Sequence, residues 1–182
     1  VVTAESSFRE DATNAPTSTS DIADRLWSRW TSGPATTQLQ RLLMQLAIRD
    51  AAFERSFAIS NLATSDLAAF DQRSSELPLQ VNARNRVEFV HDLASDWARY
   101  QRLKEIADDV GQWAALAREP LWIPALRLLG QFLLTQPDQA LGGWDHAFEQ
   151  LTVEGNVEAS DILLDALCLD ARLDCHLENR LA

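Results

Sequence analysis

Apolar residues recur at three- and four-residue intervals along most of this chain, the period of helices that bury one face. Ser20 is placed to cap "DIADRLWSRW", in which Ile22, Leu26 and Trp30 fall one turn apart, and "SGP" at 32–34 ends that helix. From Ala35 to Leu62 the residues Leu39, Leu42, Leu43, Leu46, Phe53 and Phe57 predict an amphipathic helix with a break near Asp50. "TSDLAAF" restarts a helix with Thr64 or Ser65 as cap, and "ELPLQVN" at 76–82 interrupts, because Pro78 disfavours helix at Leu77. The longest pattern runs from about Ala83 to Val110: Val87, Val90, Leu93, Trp97, Tyr100, Leu103, Ile106 and Val110. It predicts a single long helix.

"REPLWIP" at 118–124 breaks the pattern, and Pro124 opens the next helix in its first turn. Leu126, Leu129, Phe132 and Leu133 line that helix, which stops before Pro137. Gly142 and Gly143 mark another break. A helix through Trp144, Phe148 and Leu151 follows, then "VEGN" as a turn. A last helix from near Ser160 carries Ile162, Leu163, Ala166, Leu167 and Leu173. Strand alternation never extends beyond a few residues, and no repeat of solenoid length is visible. The expected fold is all-α, an irregular bundle of about six to eight helices.

Residues 1–20 differ from the rest. They are rich in Ser, Thr, Asn and acidic side chains and carry too little apolar surface to offset ordering entropy. They read as a linker or flexible arm, with residues 21–182 as a single helical domain. Because the chain begins at Val1, it is expected to be a domain excised from a larger protein.

Charge narrows the function. The formal net charge is −11, which opposes binding to nucleic-acid phosphates and to anionic membrane surfaces. No apolar run approaches the length of a membrane span. Cys168 and Cys175 stand seven residues apart. On a helix that is two turns, too far for a disulfide, so reduced thiols and a cytosolic setting are expected.

Catalytic signatures are sparse. Two cysteines and three histidines do not fall in zinc-ligand spacing, so neither metal nor cofactor is expected. His91 and His146 read as surface helix residues. No phosphate loop, serine elbow or HExxH motif occurs. The most reactive-looking segment is "DALCLDARLDCHLENR" at 165–180. Cys168 is a candidate nucleophile there, but Asp165, Asp170 and Asp174 raise a thiol pKa rather than lower it. The competing reading makes Cys168 a small core residue in the Leu163–Leu167 stripe.

Two loops suggest docking. "EPLWIP" holds Leu121, Trp122 and Ile123 between prolines, and "LGGWD" presents Trp144. Tryptophans on stiff loops make interface anchors. Packed inward, the same side chains become plugs between helices, and both readings stay open at this stage.

One basic residue stands apart. Lys104, in "RYQRLKEIADD", is the only lysine beside fifteen arginines. A lysine amine accepts ubiquitin or acetyl groups, whereas a guanidinium stays inert. Lys104 is expected at the edge of its helix, paired with Asp108 at i+4, and is a candidate for self-modification. Codon bias toward Arg, Ala and Leu explains the same skew.

Cys168-Leu169-Asp170-Ala171-Arg172 has the cysteine and aspartate spacing of the bacterial "novel E3 ligase" domain. In that family, though, the run lies near the front of the domain, so its mechanism is not carried over. In composition and architecture the chain resembles another group, the C-terminal helical ubiquitin-ligase domain of Xanthomonas outer protein L type leucine-rich-repeat type III effectors. The resemblance implies a bacterial effector delivered into the host-cell cytoplasm, with a host E2 and ubiquitin as partners. It further implies an E3 ligase without zinc, which docks a charged E2 and orients its thioester by proximity. The alternatives are a non-enzymatic interaction or scaffold domain and a Cys168-dependent transferase.

Overall fold

The computed structural model describes residue 16 and residues 18–136 and 143–170. Eight α-helices and a three-stranded antiparallel sheet make up the described part. The order is α1 (Thr19–Thr31), α2 (Thr36–Ala51), β1 (Phe57–Ala58), α3 (Thr64–Arg73), β2 (Leu79–Val81), β3 (Arg86–Phe89), α4 (Asp92–Lys104), α5 (Val110–Ala114), α6 (Ile123–Leu133), α7 (Trp144–Glu154) and α8 (Val157–Cys168). The mostly helical fold expected from the periodicity is present.

The first helix starts two residues earlier than its apolar pattern suggests. Ser18, not Ser20, is the cap, its Oγ accepting the amide N–H of Asp21 at 3.1 Å. Ser20 lies inside the helix and is buried, while Ala23 and Trp27 form the inner face and Ile22 faces out. Helix α2 buries Leu39, Leu42, Leu43 and Leu46 as expected and ends at Ala51, at the break expected near Asp50, but no α-helix resumes between there and Leu62. Phe53 then adopts positive φ and is exposed, and Phe57 enters β1. Helix α3 has Ala63 as its cap position, with no side-chain cap from Thr64 or Ser65.

The long helix predicted from Ala83 is replaced at its front by a hairpin. Leu79 pairs with Phe89 and Val81 with Val87, and β1 flanks the other side of β3 through Phe57 and Val87. Asn82 drives the turn: its Oδ1 accepts N–H from Arg84 (3.0 Å) and Arg86 (3.3 Å), while Asn85 takes the left-handed conformation. An asparagine that hydrogen-bonds its own backbone competes with helix here. Val87 sits three residues before Val90, so it fits a helical stripe as well as a strand. That coincidence hid the hairpin. Helix α4 begins only at Asp92, after the extended His91.

The termini of the later helices follow the sequence. Pro124 sits in the first turn of α6, and Gly155 closes α7 in the left-handed conformation. Helix α8 starts at Val157, ahead of the expected Ser160, because Asn156 caps it by accepting the N–H of Ala159. Leu173, Cys175 and His176 lie outside the described residues, as do Pro137, Gly142 and most of the proposed 1–20 arm.

Two apolar clusters share α4. One gathers Trp27, Leu39, Leu42, Leu43, Phe70 and Val87 against the sheet. The other gathers Tyr100, Leu103, Trp113, Leu126, Leu129 and Leu163 around α6. Helix α6 packs on α1, α4 and α8. Gly130 lets α6 and α8 meet closely: a Cβ there would lie 2.5 Å from that of Ala166.

Candidate functional site

The docking tryptophans of the sequence reading turn inward. Trp122 ends a 3-10 turn from Pro120 that runs directly into α6, and only 8% of its surface is exposed. Leu121 and Ile123 are half-buried against the same cluster. Trp144 opens α7, stacks on Phe148 at 4.9 Å and donates its Nε1–H to the Leu163 carbonyl at 3.2 Å. A tryptophan whose indole N–H has a buried acceptor is satisfied as core. The plug reading holds for both tryptophans, and the presented-anchor reading does not.

Cys168 moves the other way. It is the last residue of α8 and is exposed, outside the Ile162, Leu163, Ala166 and Leu167 stripe. The core-residue reading therefore fails, for a simple reason of phase: Leu164 and Cys168 lie one turn apart on the outer side of α8. His91 and His146 are both exposed. Among the described residues, no group of three or more His, Cys, Asp or Glu is placed to hold a metal ion. No described helix is long and apolar enough to cross a membrane.

Lys104 does not pair with Asp108. It is the final residue of α4, and the chain leaves the helix immediately afterwards, so Asp108 is not one helical turn ahead. Instead its Nζ lies 3.0 Å from both carboxylate oxygens of Asp24 on α1. The ammonium also sits 4.7 Å from the Phe132 ring centroid and 5.3 Å from that of Tyr100. Gln101 Nε2 and Tyr100 OH donate to the same carboxylate at 2.6 and 3.3 Å. Burial, and then the charge of Asp24, push the Tyr100 phenol far above its usual range. The lone lysine is thus a clasp joining α1, α4 and α6.

A second polar group is buried deeper. Arg99 is 2% exposed and reaches Asp50 at 2.9 Å and Asp96 at 2.5 Å, with a longer 3.4 Å bond to the Ala47 carbonyl. Its Nε has no hydrogen-bond partner among the described residues. Loss of hydration raises the Asp96 carboxyl above its usual 3.8, against the pull of Arg99. Lys104 and Gln101 border an open depression of about 240 Å³ with Trp27, Gln40, Met44 and Glu105, and both polar groups read as fastening between helices.

A separate exposed surface lies on the outer side of α7 and α8. Val157, Asp161, Leu164 and Cys168 recur at four, three and four residues and form one exposed stripe on α8. Val153 on α7 is 82% exposed, and Val157 and Leu169 are 63% and 66% exposed. Residues 143–170 carry seven carboxylates and no Lys or Arg. Arg127 pairs with Asp165 at 2.9 Å and Arg118 with Glu158 at 3.7 Å across this face. Exposed valines and leucines set among carboxylates make a surface for a partner with apolar contacts and a basic rim. The sequence held a signal for it, since Val153, Val157, Leu164 and Leu169 are out of phase with the core stripe.

The fold and this face define a mostly helical domain with an acidic, apolar-studded helical hairpin. No family model matches the chain, and neither a curated protein nor a solved structure matches it.

Proposed function

We propose that this chain is a protein-docking domain whose gripping surface is the outer face of α7 and α8. The observation that carries the proposal is the exposure of Val153, Val157, Leu164 and Leu169 among the acidic side chains of that hairpin. Apolar side chains give such a contact its affinity, and the carboxylates select basic partners and steer their approach.

The resemblance to the helical ligase domains gives this proposal a sharper form: an effector E3 ligase, acting in a host cytoplasm, that holds a charged E2 on this face. A ligase of that kind supplies geometry rather than a catalytic side chain. Lysine use supports this form. The single lysine amine is occupied by Asp24 and two aromatic rings, which makes it a poor acceptor for misdirected ubiquitin.

One reconstitution distinguishes the readings. The chain is incubated with E1, a panel of E2s, ubiquitin and ATP, as wild type, Leu164→Asp and Cys168→Ala. Chains formed by the wild type and by Cys168→Ala but lost in Leu164→Asp, with an unchanged melting temperature, support E2 docking. Loss in Cys168→Ala instead transfers the chemistry to that thiol. No chains with any E2 remove the ligase form and leave a scaffold, whose partner binding Leu164→Asp should still abolish.

A further inference from the structure

A second surface lies against the sheet, away from α7 and α8. A cleft of about 410 Å³ opens between α2, β1 and the start of α3. Leu46, Phe57 and Leu62 form its apolar floor, and Arg41 and Arg49 stand at its rim. A shallower depression of about 310 Å³ adjoins it, sharing Arg49 and Phe57 and adding Arg55 and Arg86. Four arginines therefore surround one continuous surface in a chain whose net charge is −11.

Arg41 is paired with Asp66, but the other three arginines have no carboxylate partner among the described residues. The guanidinium of Arg49 lies 5.2 Å from the Phe57 ring centroid, and neither it nor Arg55 makes an ion pair with any described residue. Asp50, the neighbour of Arg49 in sequence, turns inward to Arg99. Arg86 is anchored through its Nε to Ser56 Oγ at 2.8 Å, which fixes the fork without cancelling its charge. Two carboxylates line the surface, Glu54 and Asp66, and Asp66 is held by Arg41.

We propose that this surface binds an extended peptide segment of alternating acidic and apolar residues. Guanidinium forks pair with carboxylates in two-point geometry, and the Arg49–Phe57 stack holds one fork ready. The apolar floor on one side of Phe57 accepts an aliphatic or aromatic side chain. An extended strand turns successive side chains to opposite sides, so its carboxylates reach the arginine rim while its apolar residues enter the floor. The negative field of the rest of the molecule disfavours a long polyanion such as nucleic acid, which leaves a short peptide as the matching occupant. This site is independent of the α7–α8 face.

The test uses fluorescence polarisation of the full chain with a short fluorescein-labelled peptide of alternating leucine and glutamate. Saturable binding is expected. Arg49→Glu and, separately, Arg55→Glu should each weaken it by about tenfold or more, as reversing one member of a charge pair does. Arg118→Glu, far from the cleft, should leave it within about twofold, which separates a local site from bulk charge. Both cleft arginines lie at the surface, so the melting temperature of at least one variant should match the wild type. Absence of saturable binding, equal loss in Arg118→Glu, or equal affinity for a glutamate peptide without leucine would each overturn the proposal.

Discussion

At the scale of single residues, two charged side chains do more for this molecule than the apolar pattern reveals. Arg99 stands on the buried side of α4, bridging Asp50 of α2 and Asp96 of its own helix. Taking a guanidinium out of water costs several kcal/mol, which only close carboxylates offset. Arg99→Ala would leave two carboxylates facing each other in a closed space. We expect a loss of about 3–5 kcal/mol, the range for removing one partner of a buried pair, measured by urea denaturation. Lys104 is a gentler case. Its side chain is a quarter exposed, so solvent screens its contact with Asp24, and its value lies in register between helices.

Among elements, the decisive contact is that of α6 with α8. Gly130 removes a side chain where the backbones converge, and the nearest atoms after the Ala166 Cβ are those of Leu163, 3.3 Å from a built Cβ. Gly130→Ala improves helix propensity by up to about 1 kcal/mol in an exposed helix. Here the clash must win, because the obstructing atom is a short side chain fixed to a helix. We expect a net destabilisation of about 1–3 kcal/mol, typical of overpacking, read as a lowered thermal midpoint. Stabilisation by the substitution would mean that α8 can slide outward, and that the hairpin bearing the docking face is loosely seated.

For the whole molecule, charge is unevenly divided. The segment from Gly143 to Asp170 carries seven carboxylates and no Lys or Arg, while four arginines collect around the cleft beside β1. Carboxylates concentrated on one hairpin repel one another, and salt screens that repulsion over about 10 Å at 0.1 M. The melting temperature at neutral pH should therefore rise by a few degrees between roughly 0.01 and 0.3 M sodium chloride. Differential scanning calorimetry reads this directly. A fall would mean that ion pairs such as Arg127–Asp165 outweigh the repulsion.

What was legible in the sequence was local. The three-four spacing of Leu39, Leu42, Leu43 and Leu46, the proline opening α6 and the glycine closing α7 each determined an element through contacts within a turn or two. The site was less legible. Trp122 and Trp144 have the composition of interface anchors, and only the packing of α6 and α8 buries them. Val87 suits a helix stripe or a strand equally, and its pairing with Phe57 and Val81, up to thirty residues away, settled the matter. Lys104 chose Asp24, eighty positions distant, over a nearer acid because its helix ended first. Periodicity is a property of neighbours along the chain. Burial, ion pairing and the exposure of a docking face depend on which distant segments come to lie beside them, and that is decided only when the helices pack.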